Sequence, residues 1–352
     1  MMQINMKQLQ VATAGEALID LIRNEDGRFE PCIGGAVYNL TRALARQGVE
    51  TLYLNPLSSD RFGRELAVAL LNDGVHLAVP GPVQQVTSLA VVGVGPDGHP
   101  DYSFYREGVA DRAITAIQMT DACSQTATIS LVCTGALALS PDDADLYLPW
   151  LASQRQVGRT VVIDANLRPS VMPDLDLYRR HVMVALQYAD VIKASDEDLE
   201  YLNLPGANAT QRAAHLLGKS RANLVALTLG SAGASLLTRH GQVFHAQEAK
   251  RVDVMDTVGA GDCFLAGLVT AMLENNLAAE WGAGPVLESQ AQDLLGNAIA
   301  SASLCVMRRG CVPPTRDEVK ARIRLSSCQF SSLAELDAPP LVVHQSAAPS
   351  PG

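Results

Sequence analysis

A chain of 352 residues with 48% hydrophobic and only 18% charged residues has the material for one large α/β domain or two ordinary ones and is not a disordered chain. A formal net charge of −10 with no basic stripe excludes nucleic acid as the expected partner; charged small substrates stay open, because a few local cations decide those. Seven scattered cysteines without a Cys-x-x-Cys pair, no signal peptide and no apolar run long enough for a bilayer point to reduced thiols, a cytoplasmic protein and no membrane partner, and neither Cys nor His shows a zinc spacing.

The first ten residues are polar and are expected to fray. Val11 to Ala14 reads as a strand ending at Gly15-Glu16. In Ala17-Leu18-Ile19-Asp20-Leu21-Ile22, Asp20 is a lone acid, which by itself describes a solvent-facing position on an edge strand. Gly34-Gly35 precedes an amphipathic run, Leu40 to Gln47, that stops at Gly48. The two glycines serve either a tight turn or the close approach of a polyol, to which Asn39 offers donor and acceptor. Leu89 to Val94 and Tyr102 to Tyr105 flank Pro96-Asp97-Gly98 and predict a hairpin, after which Arg106 reads locally as an exposed edge-strand charge.

The middle of the chain alternates. Thr128 to Cys133, Thr160 to Ile163, Asp190 to Lys193 and Leu224 to Leu229 are strands, with helices between them started by pairs such as Ser140-Pro141. That order predicts a parallel sheet covered on both faces, with ligands at the carboxyl ends of its strands. Asp164-Ala165-Asn166-Leu167-Arg168-Pro169 lies at one such end and Lys193-Ala194-Ser195-Asp196-Glu197-Asp198 at another. Ser195-x-x-Asp198 also fits a helix capping box. Thr228-Leu229-Gly230-Ser231-Ala232-Gly233 is a glycine-bearing turn leading to Ser235 to Leu237.

Arg251 to Met255 alternates like a short strand, and an apolar run to Leu273 reads as a buried helix. Gly259-Ala260-Gly261 sits between them, where first-turn N–H groups and the helix dipole favour an anion. A dinucleotide fingerprint fails because Phe264 stands where a third glycine is needed, and no Gly-Lys-Ser/Thr follows for a P-loop. Asp262 then either caps the helix or places a carboxylate beside an anion hole, as phosphoryl transfer to a hydroxyl requires.

Asp256-Thr257-Val258-Gly259-Ala260-Gly261-Asp262 closely resembles the C-terminal signature of the ribokinase (PfkB-type) family of carbohydrate kinases. The resemblance implies Asp262 as catalytic base and Gly259, Ala260 and Gly261 as the phosphate hole. An ordinary aspartate is a weak base, so proton transfer is expected to be late. Gly34 to Asn39 with Gly48 is similar to the family's first signature, although Ser58 stands where a glycine is usual. Gly15 to Asp20, Phe104 to Asp111, Asp164 to Arg168 and Lys193 to Asp198 resemble fructokinases. By that likeness Asp20, Gly34, Gly35, Asn39, Arg106, Asn166 and Arg168 surround the sugar. Lys193, Thr228, Gly230, Gly233 and Asn297 belong to ATP, with Asp198, in place of the usual Glu, reaching Mg2+ through water. Asp256 with carbonyls of Val258, Cys305, Arg308 and Gly310 implies a K+ site.

The implied fold is ribokinase-like: a doubly wound, mainly parallel sheet over residues 11–325, with a small β lid from segments near 16–33 and 88–110. Residues 326–352 are expected to be a disordered tail. The implied activity is transfer of the γ-phosphate of MgATP to a primary hydroxyl of D-fructose, by a homodimer joined through the lid. Aminoimidazole riboside, 2-keto-3-deoxygluconate and nucleosides are the alternative substrates, and a non-catalytic sugar-binding regulator is the alternative of another class. Tyr38 and Tyr105 are the only aromatics flanking the sugar residues on which a nucleoside base could stack.

Overall fold

Four runs of apolar residues build the centre of the molecule: β8 (Leu131–Gly135), β9 (Thr160–Asp164), β10 (Val191–Ser195) and β11 (Leu224–Thr228). All but the last residues of β10 and β11 are buried, as strands covered on both faces must be. They pair in parallel, β8 also pairs with β1 (Val11–Thr13), and β1 pairs in parallel with β4 (Thr51–Tyr53), beside β5 (His76–Leu77). On the other side the sheet continues antiparallel through β12 (Ala234–Thr238), β13 (Val243–Gln247) and β14 (Gln329–Leu333). The order is β14-β13-β12-β11-β10-β9-β8-β1-β4-β5. From the β1/β8 pair the chain winds outward in both directions, which makes that pair the switch point where α/β sheets open a ligand crevice. This computed structural model describes residues 8–24, 26–94, 100–277, 284–326 and 328–333.

Helices cover both faces, each over its own apolar cluster. The helix Ala260–Glu274 is buried at every position from Asp262 to Met272. It packs on the helix Glu288–Val306 and has no polar face, as a core helix needs none. No helix among the described residues is long and apolar enough to cross a membrane.

A second sheet stands apart, in the order β3 (Phe29–Gly34), β2 (Leu18–Arg23), β6 (Ser88–Val94), β7 (Pro100–Tyr105). The expected lid hairpin is β6 and β7, and its Pro96-Asp97-Gly98 turn lies outside the described residues. Asp20 is not on an edge. Its strand is interior to the lid because β6 pairs alongside β2 in parallel, a partner about seventy residues away that local pattern cannot show.

Two further expectations are corrected. Residues 251–255 form no strand: the N–H groups of Met255 and Asp256 both donate to the Val306 carbonyl, and Val254 and Met255 are exposed. The chain is also not a free tail from residue 326, since β14 pairs with β13 and Phe330 stacks on Phe244 with ring centroids 6.1 Å apart. Residues 334–352 lie outside the described residues.

Candidate active site

The start of the helix Ala260–Glu274 is held in an unusual turn. Gly259 sits at φ 76°, and a Cβ there would lie 2.2 Å from the Cys311 sulfur, so conformation and space both require glycine. The Ala260 N–H donates to the Thr257 carbonyl, whereas the N–H groups of Gly261 and Asp262 find no carbonyl in the preceding turn. Two donors at a helix N-terminus thus remain for an outside acceptor. Asp262 is buried beside them, and its Oδ2 accepts from Asn39 Nδ2 at 3.0 Å. Burial, followed by the charge of Asp164, pushes its carboxyl up to about 7, against the pull of Asn39, Lys193 and Arg168. Asp262 forms no cap bond to its own helix. Instead, it is a carboxyl group poised near neutrality next to free N–H groups.

Lys193 reaches the same turn from the middle of β10. Its Nζ lies 3.0 Å from Asp164 Oδ1 and 3.2 Å from Oδ2, and against the Cα of Gly261, where a Cβ would meet it at 2.9 Å. Burial would lower the ammonium, but Asp164 and Asp198 outweigh it and hold it protonated. Burial lifts Asp164 up to about 6 even with Lys193 beside it. Asp198 forms the capping box with Ser195: its Oδ2 accepts the Ser195 N–H at 2.8 Å and its Oδ1 accepts the Leu167 N–H at 2.7 Å. Asp198 thereby ties the β9 loop to the helix after β10. In that loop Asn166 adopts φ 36°, and Arg168 Nη1 donates to its Oδ1 at 2.6 Å. The Arg168 charge acts on Glu16, Asp20, Asp164 and Asp262, so it faces the carboxylates from both strand ends.

The lid side adds a second group of acids. Asp20 Oδ2 presses on Gly34, where a Cβ would lie 2.2 Å away, and burial raises its carboxyl to about 6. Gly35, at φ 105°, starts the helix Ala36–Arg46 that carries Asn39. Glu16, given no role by its sequence context, accepts the Ala36 N–H at 2.9 Å through Oε1. Its Oε2 is buried without a partner, and burial pushes the carboxyl up to about 7. Arg106 is not an exposed edge charge. Its side chain is 11% exposed and is held by two buried acids, Asp111 at 3.4 Å and Asp143 at 3.1 Å. Among the buried side-chain atoms without a hydrogen-bond partner are Glu16 Oε2, Asn39 Oδ1 and Arg106 Nε. An open cleft of ≈ 930 Å³ runs beside Arg106, Phe104 and Met172 at the lid edge, and Asp20, Asn39 and Asp262 do not line it.

The remaining expected residues are less concentrated. Thr228 ends β11, and Gly230 at φ 56° opens onto free space in the turn that follows. Gly233 is needed for packing, since a Cβ would meet the Ala246 carbonyl at 2.1 Å. Asn297 has both amide atoms engaged inside the protein, by the Asp293 carbonyl and by Arg316. Asp256 braces two loops, accepting the N–H of Val258 at 3.0 Å and of Gly310 at 2.8 Å. Cys305 and Arg308 lie in the same loop pair, where the Arg308 N–H donates to the Cys305 carbonyl.

A glycine turn with free N–H groups, a near-neutral carboxylate and a buried lysine beside the carboxyl end of β9 suit a phosphotransferase with an alcohol group as acceptor. A family model described as pfkB family carbohydrate kinase matches residues 8–318, and the chain belongs to that family. It is 30% identical over 331 residues to a fructokinase of Rhizobium leguminosarum bv. trifolii, covering 93% of this chain and 94% of the relative. Among solved structures it is similar to the ATP-bound fructokinase of Xylella fastidiosa, with a TM-score of 0.78 and 28% identity over 91% of this chain and 99% of the other. Aminoimidazole riboside kinase of Salmonella enterica shares the fold, with a TM-score of 0.73 at 23% identity over 89% of this chain and 99% of the other.

Proposed function

We propose that this sugar kinase transfers the γ-phosphoryl group of MgATP to a primary hydroxyl of D-fructose, at O6. The observation that carries the catalytic part is the Asp262 carboxylate, held by Asn39 beside the free N–H groups of the glycine turn and within the field of Lys193. The turn and Lys193 would take the charge that grows on the transferred group, and Asp262 would orient the hydroxyl and accept its proton. A carboxyl group pushed up to about 7 is a better matched base than an ordinary aspartate, though positioning still carries more of the rate. Asp20, Glu16, Asn39 and Arg106 would pair with the other sugar hydroxyls, with Arg168 balancing the acids.

Magnesium enters as part of the nucleotide substrate, where it neutralises phosphate charge. Both Asp198 oxygens already accept backbone N–H groups, which leaves contact through water. For K+, the carbonyls of Val258, Cys305 and Gly310 each accept one bond already and keep a second lone pair, so an oxygen cage around Asp256 fits. Seven free thiols support a cytoplasmic setting, and Phe29 and Tyr105, exposed on the lid face opposite Asp20, support a lid-to-lid dimer.

The test is kcat/KM for fructose, ribose, 2-keto-3-deoxygluconate, aminoimidazole riboside and adenosine at fixed MgATP, followed by ADP release. Fructose should lead. Trailing any of the others tenfold would overturn the substrate, and no ADP release with any sugar would overturn catalysis in favour of a sugar-binding regulator.

A further inference from the structure

The fold gathers three cysteines that the sequence keeps apart. Cys263 lies in the first turn of the helix Ala260–Glu274, Cys305 at the end of Glu288–Val306, and Cys311 just past the Gly310 turn. Their sulfur atoms all lie within 4.8 Å of one another. Cys263 and Cys305 are fully buried, and Cys311 is the member with some exposure. Ligand-spacing rules in sequence assume neighbouring ligands, which is why they miss a site assembled from three elements.

We propose that Cys263, Cys305 and Cys311 form a binding site for a soft, thiophilic cation such as Zn2+ or Cd2+, and that its occupation inhibits the kinase. Metal–sulfur bonds of about 2.3 Å around a tetrahedral ion set sulfurs roughly 3.8 Å apart, so closing the site needs shifts of about half an ångström. The Val258 carbonyl, which accepts from the Cys305 thiol at 3.5 Å, lines one side, and water can complete the shell beside Cys311. Three thiolates select soft ions over magnesium or potassium.

The inhibition follows from position. Closing three sulfurs around one ion draws together the elements that carry them. Cys311 touches Gly259, and Cys263 follows Asp262 directly, so that closure would displace the turn that is proposed to take the γ-phosphate. The KM for ATP should rise, with a smaller effect on the sugar. This second half rests on the kinase reading, and the binding half does not.

The full-length protein, reduced with a phosphine and freed of metal by chelation, is titrated with Cd2+ while the ultraviolet thiolate-to-cadmium charge-transfer band is followed. One equivalent should saturate the band, and Zn2+ loaded beforehand should raise the Cd2+ concentration needed to reach it. Cys311→Ser should lose the band, whereas Cys328→Ser should keep it. In the unaltered protein Zn2+ should slow alkylation of Cys311 at least tenfold, which frees the test from any folding defect of the variant. No stoichiometric band, an unchanged band in Cys311→Ser, or unprotected Cys311 would overturn the site. Stoichiometric binding with an unchanged KM for ATP would overturn the inhibitory role.

Discussion

The lid side and the far side of this crevice are prepared in opposite ways. On the lid side, Glu16, Asn39 and Arg106 each keep a buried polar atom without a partner, and the surrounding backbone is locked by Gly34 and Gly35. On the far side, Asn297 is fully engaged within the protein and Gly233 is committed to packing, leaving Thr228 and the open Gly230 turn. An unpaired buried polar atom costs about 1–3 kcal/mol, which the correct hydroxyl pattern recovers and a wrong one does not. The chain thus carries selectivity where the sugar is proposed to bind and tolerance where the nucleotide is proposed to lie.

Breaking the site between the two halves should have the largest effect. Asp262→Asn keeps size while removing the proton acceptor, and kcat should fall by about 10² to 10⁴ with ATP binding intact. Retention of more than roughly a tenth of the turnover would remove Asp262 from the base role. Next, Glu16→Ala should raise the KM for sugar by about 5- to 150-fold, the equivalent of 1–3 kcal/mol, and leave that for ATP within twofold. Equal loss for both substrates would erase the contrast.

The acid limb of kcat/KM sharpens it further. A base must be deprotonated, so with Asp262 pushed up to about 7, activity should drop about tenfold per pH unit below that point. The Asn39 bond favours the charged form, and Asn39→Leu should move the limb to higher pH. A limb near pH 4 in both proteins would contradict the assignment. The smallest effect concerns the lid: sugar should protect the amides of 88–94 and 100–105 from hydrogen exchange more than ATP alone. Equal protection by either would separate that sheet from the sugar.

What could be read from the sequence was local. The βα alternation, the glycine turn with Asp262, and the Ser195/Asp198 capping box each depend on residues a few positions apart, and each stands in the structure. What escaped depends on distant neighbours. Glu16 looked like the end of a strand because nothing nearby shows that Arg106 and Arg168 face it. Asp111 and Asp143 matter only once the fold brings them to Arg106. Residues 251–255 carry a strand-like alternation but find no partner strand, and propensity without a partner is not a sheet. Conversely, β14 sits in a polar, weakly patterned stretch and is made a strand by the free edge of β13.

That last strand has a practical consequence for handling the protein. Gln329, Ser331 and Ser332 present exposed polar side chains along the outermost strand of a ten-stranded sheet, which covers the edge of β13. A chain cut at residue 326 would bare the β13 edge and Phe244 together. Such a truncation should self-associate and precipitate on concentration more readily than the full chain, long before its catalytic chemistry was impaired.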